Sequence, residues 1–423
     1  MKYELAVLGS GLKVMVMPMA TLESATLTLW VKTGSRAEDK RTNGLSHFLE
    51  HMVFKGSKKR PTAKEISEAV DSMGGEFNAA TSKDWTNFYI KTRAGNLEKA
   101  FDVLSDMVLD PILSLEEIER EKGVILEEIA MHEDTPMLKI WDVFEELIFR
   151  GHPLSWDTSG TPESVKGIKK EDFLLYQKAH YYPEKMLVSV AGGVKPEEVF
   201  KLVQKYLGEL KAGAKERLAE FSSSQKKPQI SLYSQKKEQA HLVLGFRGEG
   251  RGYKGRFAEL ILSTILGRGM SSRLFIEVRE RRGLAYAISS NIERYMETGY
   301  LATYAGVDLK KVREAISVIL EEHYAISDSR KRISESEIRK AKEFIKGHLA
   351  LALEDTKDVN SFFGEPALFL QKIETPEEVY RKVDRVSVEE VLTEAKKLFV
   401  PQRLNLAVIG PYKSKERFEK LIY

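Results

Sequence analysis

NGLSHFLEHMVFKG, residues 43–56, is the stretch on which the fold assignment depends. Its apolar residues recur at the spacing of one helical face, and Asn43 and Gly56 stand where a cap and a terminator are expected. Upstream, residues 25–33 alternate apolar and polar side chains, a pattern typical of a strand. The sequence therefore predicts a strand followed by an amphipathic helix.

The same order of elements recurs in the second half of the chain. Residues 241–246 indicate a strand and residues 255–266 a helix, and a basic, Gly-containing loop follows each helix, at 55–60 and at 267–273. Another helix and another strand come next in both halves. We interpret this as a duplication and predict an α+β fold, in which two similar domains each have a largely antiparallel sheet with helices packed on one face.

A polar, Ser-rich and Lys-rich stretch separates the two halves. The periodic apolar pattern weakens over residues 211–228, as expected of a linker. The predicted domains are therefore residues 1–210 and 229–423.

Composition excludes several classes of function. The chain has 423 residues, and its 66 Lys and Arg against 63 Asp and Glu argue against a nucleic-acid partner. The absence of cysteine excludes disulfides, thiolate metal sites and a Cys nucleophile, so any metal must be held by His, Asp or Glu. No apolar run suits a membrane span or a signal peptide. We therefore expect no membrane association and a cytoplasmic location.

The predicted helix carries a metal-binding pattern. His47 and His51 lie one turn apart on the same face, a spacing at which two imidazoles can hold one Zn²⁺. Glu50, on the same side, is placed to take a proton from a water on the metal rather than to bind the metal. This is the H-x-x-E-H pattern.

A third ligand is expected from the acidic helix predicted over residues 114–134. Glu121 and Glu128 lie two turns apart on one face, so one could bind metal while the other supports a ligand. Spacing does not choose between Glu127 and Glu128. Helical phase favours Glu128, because Glu121 and Glu128 together flank the predicted core-facing side. The apolar residues that mark this side are Val124, Ile125 and Ile129.

These motifs together resemble the pitrilysin–insulinase family of zinc peptidases, most closely its bacterial and mitochondrial-processing-peptidase branch. Further similar segments are GEFNAATS (75–82), GHPL (151–154), HYYP (180–183) and LGRGMSSRLF (266–275), so the resemblance covers nearly the whole chain. The resemblance implies Zn²⁺ as the cofactor.

The resemblance also implies a role for each motif residue. His47, His51 and Glu128 would be the metal ligands, Glu50 the general base, and Glu121 a supporting residue behind the site.

The second half lacks histidine where the metal helix should repeat, at residues 257–267, so it cannot bind zinc in the same way. It contains Arg279 and Tyr286, whose seven-residue spacing matches an Arg/Tyr pair of the family. The resemblance implies that this pair binds substrate and stabilises the oxyanion, a chemically reasonable role for a guanidinium and a phenol. Taken alone, the pair is more typical of a solvated helix end and a strand residue.

The resemblance also suggests where substrate binds. Residues 77–82, with Asn78, Ala79 and Ala80 at their centre, read as an extended edge that could pair with a peptide backbone. An ordinary edge strand is the alternative.

The favoured function is a zinc endopeptidase that cuts extended peptides in an enclosed chamber and acts as a homodimer. A non-catalytic assembly subunit of the same family is one alternative, against which the intact metal motif argues. One half of a hetero-oligomeric processing peptidase is another, against which the presence of both the metal motif and the Arg/Tyr pair argues.

Overall fold

The computed structural model describes residues 1–213, 218–328 and 330–422. The chain forms two compact units, each assembled from three stretches. The first unit comprises Met1–Ala130, Trp156–Ala219 and Ala350–Thr375, and the second comprises Met131–Ser155, Glu220–Leu349 and Pro376–Tyr423.

The strands are β1 (Glu4–Val7), β2 (Lys13–Pro18), β3 (Ser24–Val31), β4 (Glu76–Thr81), β5 (Thr86–Arg93), β6 (Met186–Gly192), β7 (Gln229–Ser234), β8 (Gln239–Glu249), β9 (Ala285–Arg294), β10 (Thr298–Asp308) and β11 (Leu404–Gly410). The helices are α1 (Leu45–Met52), α2 (Ala63–Asp71), α3 (Leu97–Leu109), α4 (Leu115–Asp134), α5 (Pro136–Ile148), α6 (Pro162–Gly167), α7 (Lys170–His180), α8 (Pro196–Leu207), α9 (Arg256–Gly267), α10 (Val312–Ser327), α11 (Glu335–Ala352), α12 (Thr356–Phe369), α13 (Pro376–Arg385), α14 (Val388–Leu398) and α15 (Glu416–Ile422).

The sheet of the first unit has the order β1-β2-β6-β3-β5-β4. All neighbouring strands are antiparallel except β2 and β6, which are parallel. The sequence of β6, MLVSVAG, is buried along its whole length, as expected of a strand covered on both faces. By contrast, β4 lies at the edge, and its residues alternate between exposed and half-buried.

The sheet of the second unit repeats this arrangement. Its order, β7-β11-β8-β10-β9, matches β2-β6-β3-β5-β4, and its one parallel pair, β7 and β11, corresponds to β2 and β6. The predicted α+β class and the predicted duplication are therefore confirmed.

One helix from each half of the chain packs on the sheet of the other half. α12 lies against β3 and β6, where Phe363 joins Met15 and Trp30 in one apolar cluster. In the equivalent place of the second unit, α5 lies against β7, β8 and β11, and Phe144 packs with Tyr300. Each sheet is thus covered on both faces, whereas the sequence predicted helices on one face.

The compact units consequently differ from the predicted boundaries. The contiguous domains 1–210 and 229–423 would assign α5 to the first unit and α12 to the second. Each helix instead buries its apolar side against the sheet of the other half of the chain. This is a tertiary contact, which no local sequence pattern reveals. In the predicted linker, residues 214–217 lie outside the described residues, and its described residues contain no helix or strand.

No helix in the described ranges combines the length and the apolar character needed to cross a membrane.

Candidate metal centre and active site

Two helices of the first unit bring the predicted metal ligands together. On α1, Phe48, Leu49 and Met52 are almost completely buried and anchor the helix on the core. The imidazoles of His47 and His51 point away from this apolar side, with 12% and 20% of their side-chain surface exposed. This amphipathic division positions both rings one turn apart beside α4.

The three ligand atoms lie at the mutual distances of a metal site. The two Nε2 atoms of His47 and His51 are 3.2 Å apart, and Oε2 of Glu128 lies 3.7 Å from the first and 3.5 Å from the second. Atoms that bind one tetrahedral zinc at ~2.0–2.2 Å lie roughly 3.3–3.6 Å from one another. Two imidazoles and one carboxylate also match the donors of a catalytic zinc site, in which a fourth position stays open.

Both histidines are placed to act as metal ligands. Burial lowers the pKa of His47 to about 3, and the neighbouring His51 contributes to this shift. Nδ1 of His51 lies 2.9 Å from Oε1 of Glu121. An ionised carboxylate can only accept, so with Glu121 ionised His51 donates from Nδ1, and Nε2 keeps a lone pair that can bind a metal. The other oxygen of Glu121 lies 2.7 Å from Nζ of Lys55.

The α4 helix turns Glu128 toward the histidines and leaves Glu127 exposed. Glu121 is buried on the same side, with 3% of its surface exposed. Val124, which was predicted to mark the core-facing side, is instead 47% exposed, whereas Ile125 is fully buried. Ile118, one turn before Glu121, marks the core-facing side instead.

Glu50 is held by the edge strand. Its Oε2 accepts a hydrogen bond of 2.5 Å from Oγ1 of Thr81, the last residue of β4. Burial raises the pKa of Glu50, and the Thr81 hydrogen bond and His51 oppose that rise. An acidic side chain with a raised pKa beside a metal-ligand cluster is suited to proton transfer.

The predicted substrate strand lies at the free edge of its sheet. β4 pairs with β5 on one side, and the sheet order ends there. Asn78 and Ala80 are exposed, and Ala79 is half-buried. The amide of Ala79 donates to Oδ1 of its neighbour Asn78 (2.8 Å), so among the three predicted residues Ala79 directs its backbone toward the open edge.

Arg279 and Tyr286 lie together in the second unit. Arg279 belongs to a π-helical segment, Phe275–Arg281, and Tyr286 to β9 at the edge of that unit's sheet. The guanidinium carbon lies 5.2 Å from the centre of the Tyr286 ring, and this ring is 79% exposed. Such π-helical turns are rare in proteins, and those that occur are often found at functional sites.

Sequence reasoning missed three residues around this site. Thr81 contacts Glu50, Lys55 contacts Glu121, and Glu38 accepts hydrogen bonds at the start of α1. The i, i+4 spacing of His51 and Lys55 could have suggested Lys55. The other two come into place only through tertiary structure.

The comparisons with known proteins agree with this geometry. The family model described as insulinase (peptidase family M16) matches residues 14–161, and the one described as the peptidase M16 inactive domain matches residues 167–345. A Mycobacterium leprae protein named an uncharacterized zinc protease is 35% identical over 97% of this chain and 92% of its own length. This chain belongs to the insulinase family of peptidases.

Other relatives extend this assignment. A Bacillus subtilis protein named uncharacterized zinc protease YmxG is 34% identical to this chain. The match covers 95% of this chain and 97% of the length of YmxG. A solved protease from Helicobacter pylori has the same fold, with a TM-score of 0.91 at 23% identity over 97% of this chain and all of its own. A chain of the Candida albicans complex III2 has a TM-score of 0.83 at 18% identity, with 99% of both chains covered. The protein is thus a zinc peptidase by family.

Proposed function

We propose that this protein is a zinc endopeptidase that hydrolyses extended, unstructured peptides, with Glu50 as the general base. The observation that supports this most strongly is the convergence of His47, His51 and Glu128 beside Glu50. Glu50 in turn contacts Thr81, on a strand whose outer edge is free. The residues proposed as metal ligands, as base and as peptide-pairing edge therefore lie in one compact unit.

The residues of the first unit would divide the chemistry among them. Zinc held by the two histidines and Glu128 would supply a Lewis acid for the scissile carbonyl and would lower the pKa of a water molecule. Glu50 takes a proton from the attacking water as the water oxygen bonds to the carbonyl carbon. Glu50 then gives that proton to the amide nitrogen as the carbon–nitrogen bond breaks. Thr81 orients Glu50 by occupying one of its two oxygens.

Peptide binding would use the backbone of β4. An extended substrate that adds as a further strand gains main-chain hydrogen bonds with little dependence on its sequence. Ala79 offers its amide at the open edge, where Asn78 now accepts it, so an arriving carbonyl would replace the Asn78 side chain. This mode of binding favours flexible segments over folded proteins.

The oxyanion donors would be Arg279 and Tyr286 of the second unit. The guanidinium lies over the Tyr286 ring, so the two donors are held next to each other, and donors held in place in advance stabilise a developing charge. We propose that the pair acts on the metal centre of a partner copy in a homodimer. We also propose that the two copies together enclose a chamber. Closure would keep folded proteins out and limit bulk water.

Replacement of Glu50 by Gln tests the mechanism. Glu50→Gln keeps the side chain's shape, so zinc content should stay at the wild-type level while cleavage of a fluorogenic unstructured peptide falls at least 10³-fold. Glu127→Gln, on the exposed side of α4, serves as the control and should retain activity. Zinc content and cleavage are measured on the same preparations. Turnover retained in Glu50→Gln would refute the role of Glu50.

A non-catalytic assembly subunit is the alternative function, and a chain of similar fold occurs in complex III2. That likeness concerns the fold alone. A wild-type protein that binds zinc yet cleaves no peptide would favour this alternative. Activity that appears only with a second, different chain would favour a hetero-oligomeric processing peptidase.

A further inference from the structure

The helix that carries both histidines is unusually dependent on what surrounds it. α1 has eight residues, and helices shorter than ~12–15 residues are marginal on their own. Its N-cap is Gly44, which has a left-handed φ of 95° and no side chain with which to cap the first turn. The amide groups at the start of α1 therefore need an acceptor from elsewhere.

Glu38 supplies that acceptor from six residues upstream of Gly44. Its Oε1 accepts from the amide of Ser46 (2.7 Å) and from Ser46 Oγ (2.5 Å). Its Oε2 accepts from the amide of Gly44 (2.7 Å) and from Nδ2 of Asn43 (3.1 Å). The carboxylate thus receives four donors, two of which are backbone amides, one from the N-cap and one from the first turn of α1.

The hydrogen bonds continue into the rest of the unit. Because the Ser46 hydroxyl donates to Glu38, it accepts from the Tyr176 hydroxyl (2.8 Å), and Tyr176 accepts from Thr33 Oγ1 (3.1 Å). When Glu38 is ionised, every donor in this chain points toward its carboxylate, so the bonds polarise one another in one direction. The network ties α1 to α7 and to the segment just after β3.

The Glu38 carboxylate is deeply buried, with 7% of the residue exposed. Burial raises its pKa to about 7, and the hydrogen bonds from Ser46, Asn43 and Gly44 oppose that rise. Because burial of a charged group costs desolvation free energy, a buried carboxylate is a poor source of stability by itself. When Glu38 is ionised, its negative charge at a helix N-terminus is favourable, and its two oxygens hold the start of α1 in place.

We propose that Glu38 is a positioning residue for the metal centre. It fixes the first turn of α1, where His47 follows Ser46 directly, and so holds the two Nε2 atoms at the spacing that zinc requires. This inference rests on the proposed function only in that His47 and His51 bind zinc. Glu38 itself contacts neither histidine.

The test compares Glu38→Gln with the wild type in the full chain. Gln keeps the shape but turns an NH₂ group toward donors, so the first turn loses an acceptor. The zinc dissociation constant, measured against a chromophoric chelator well below the unfolding temperature, should rise at least tenfold. Hydrogen exchange of the amides of residues 45–52 should be faster in the zinc-free variant. With saturating zinc, kcat should fall while KM stays unchanged, because β4 is untouched.

The matched control is Glu259→Gln in the second unit. Glu259 is 3% exposed and pairs with Arg294, so its replacement removes a similarly buried charge far along the chain from α1. Zinc affinity should stay at the wild-type value. If Glu259→Gln weakened zinc binding as much as Glu38→Gln does, general destabilisation would explain both effects, and the inference would be overturned.

Two further outcomes keep the test decisive. If Glu38→Gln does not fold, Ser46→Ala removes only the hydroxyl donor and should weaken zinc binding about threefold. Wild-type affinity and wild-type exchange over 45–52 in the folded variants would refute the positioning role while zinc binding by the wild type stands. Failure of the wild type to bind zinc would refute the proposed function itself.

Discussion

Nδ1 of His51 lies 2.9 Å from Oε1 of Glu121, so one of the three residues proposed to bind zinc is held by a buried carboxylate. The carboxylate can fix the tautomer and orientation of the ring, and its other oxygen lies 2.7 Å from Nζ of Lys55. Glu121→Gln should therefore weaken zinc binding ~10–100-fold without preventing it.

Competition with a chelator measures this loss. Glu119→Gln on the same helix is the control, because the Glu119 side chain is 71% exposed, and it should bind zinc as the wild type does. Wild-type affinity in Glu121→Gln would contradict a supporting role for Glu121.

The choice between two adjacent carboxylates gives a second prediction. Glu128→Gln should lose zinc and activity together, because it removes one of three ligand atoms, whereas Glu127→Gln should retain both. Bound zinc should also raise the melting temperature of the wild type, and chelation should reverse this. Metal analysis and thermal melts decide the matter. Zinc retained by Glu128→Gln but lost from Glu127→Gln would reverse the assignment.

The free edge of β4 gives a third prediction. An unstructured peptide bound to inactive Glu50→Gln should slow hydrogen exchange at Ala79, whose amide faces the open edge, more than at Ala80. Residue-resolved exchange with and without peptide measures this. Ala287 on β9, another strand at a sheet edge, is the internal comparison. Protection at Ala287 alone would mean that the peptide pairs with the other sheet.

The packing of α12 gives a fourth prediction. A Cβ at Gly364 would lie 2.6 Å from Nε1 of Trp30, a side chain that is 1% exposed and hydrogen-bonded to Ser189. Gly364→Ala should therefore lower the free energy of unfolding by about 1–3 kcal/mol. Gly347→Ala on α11, where a Cβ meets nothing within 4 Å, should raise it by up to ~1 kcal/mol. Denaturant titrations compare the two. Equal effects would contradict close packing of α12 on the sheet.

What could be predicted from the sequence was local. The spacing of His47 and His51 on one helix face follows from the helical repeat, and the recurrence of elements in the two halves predicted the repeated strand order. Helical phase selected Glu128 over Glu127 even though Val124 is exposed. Val124 was misassigned to the buried side because α4 buries only a narrow stripe of residues. The charged residue Glu121 belongs to that stripe.

What could not be predicted depends on tertiary contacts. Glu38 contacts α1 from the preceding loop, and Thr81 contacts Glu50 from a strand. The helices α5 and α12 each pack on the sheet formed by the other half of the chain. None of these contacts leaves a periodicity or a spacing in the sequence. A capping residue six positions before Gly44, for example, lies outside every local helix-start pattern.

The last prediction concerns assembly. Glu50 lies in the first compact unit and Tyr286 in the second, and we propose that one copy of the chain lends Arg279 and Tyr286 to the metal centre of another. In a two-fold dimer one interface then builds two equivalent sites. Glu50→Gln and Tyr286→Phe should each be nearly inactive alone. After subunit exchange, half of the dimers are mixed and one site in each is intact, so activity should recover to about a quarter of the wild type. Proven exchange without recovery would show that the pair acts within its own chain or takes no part in catalysis.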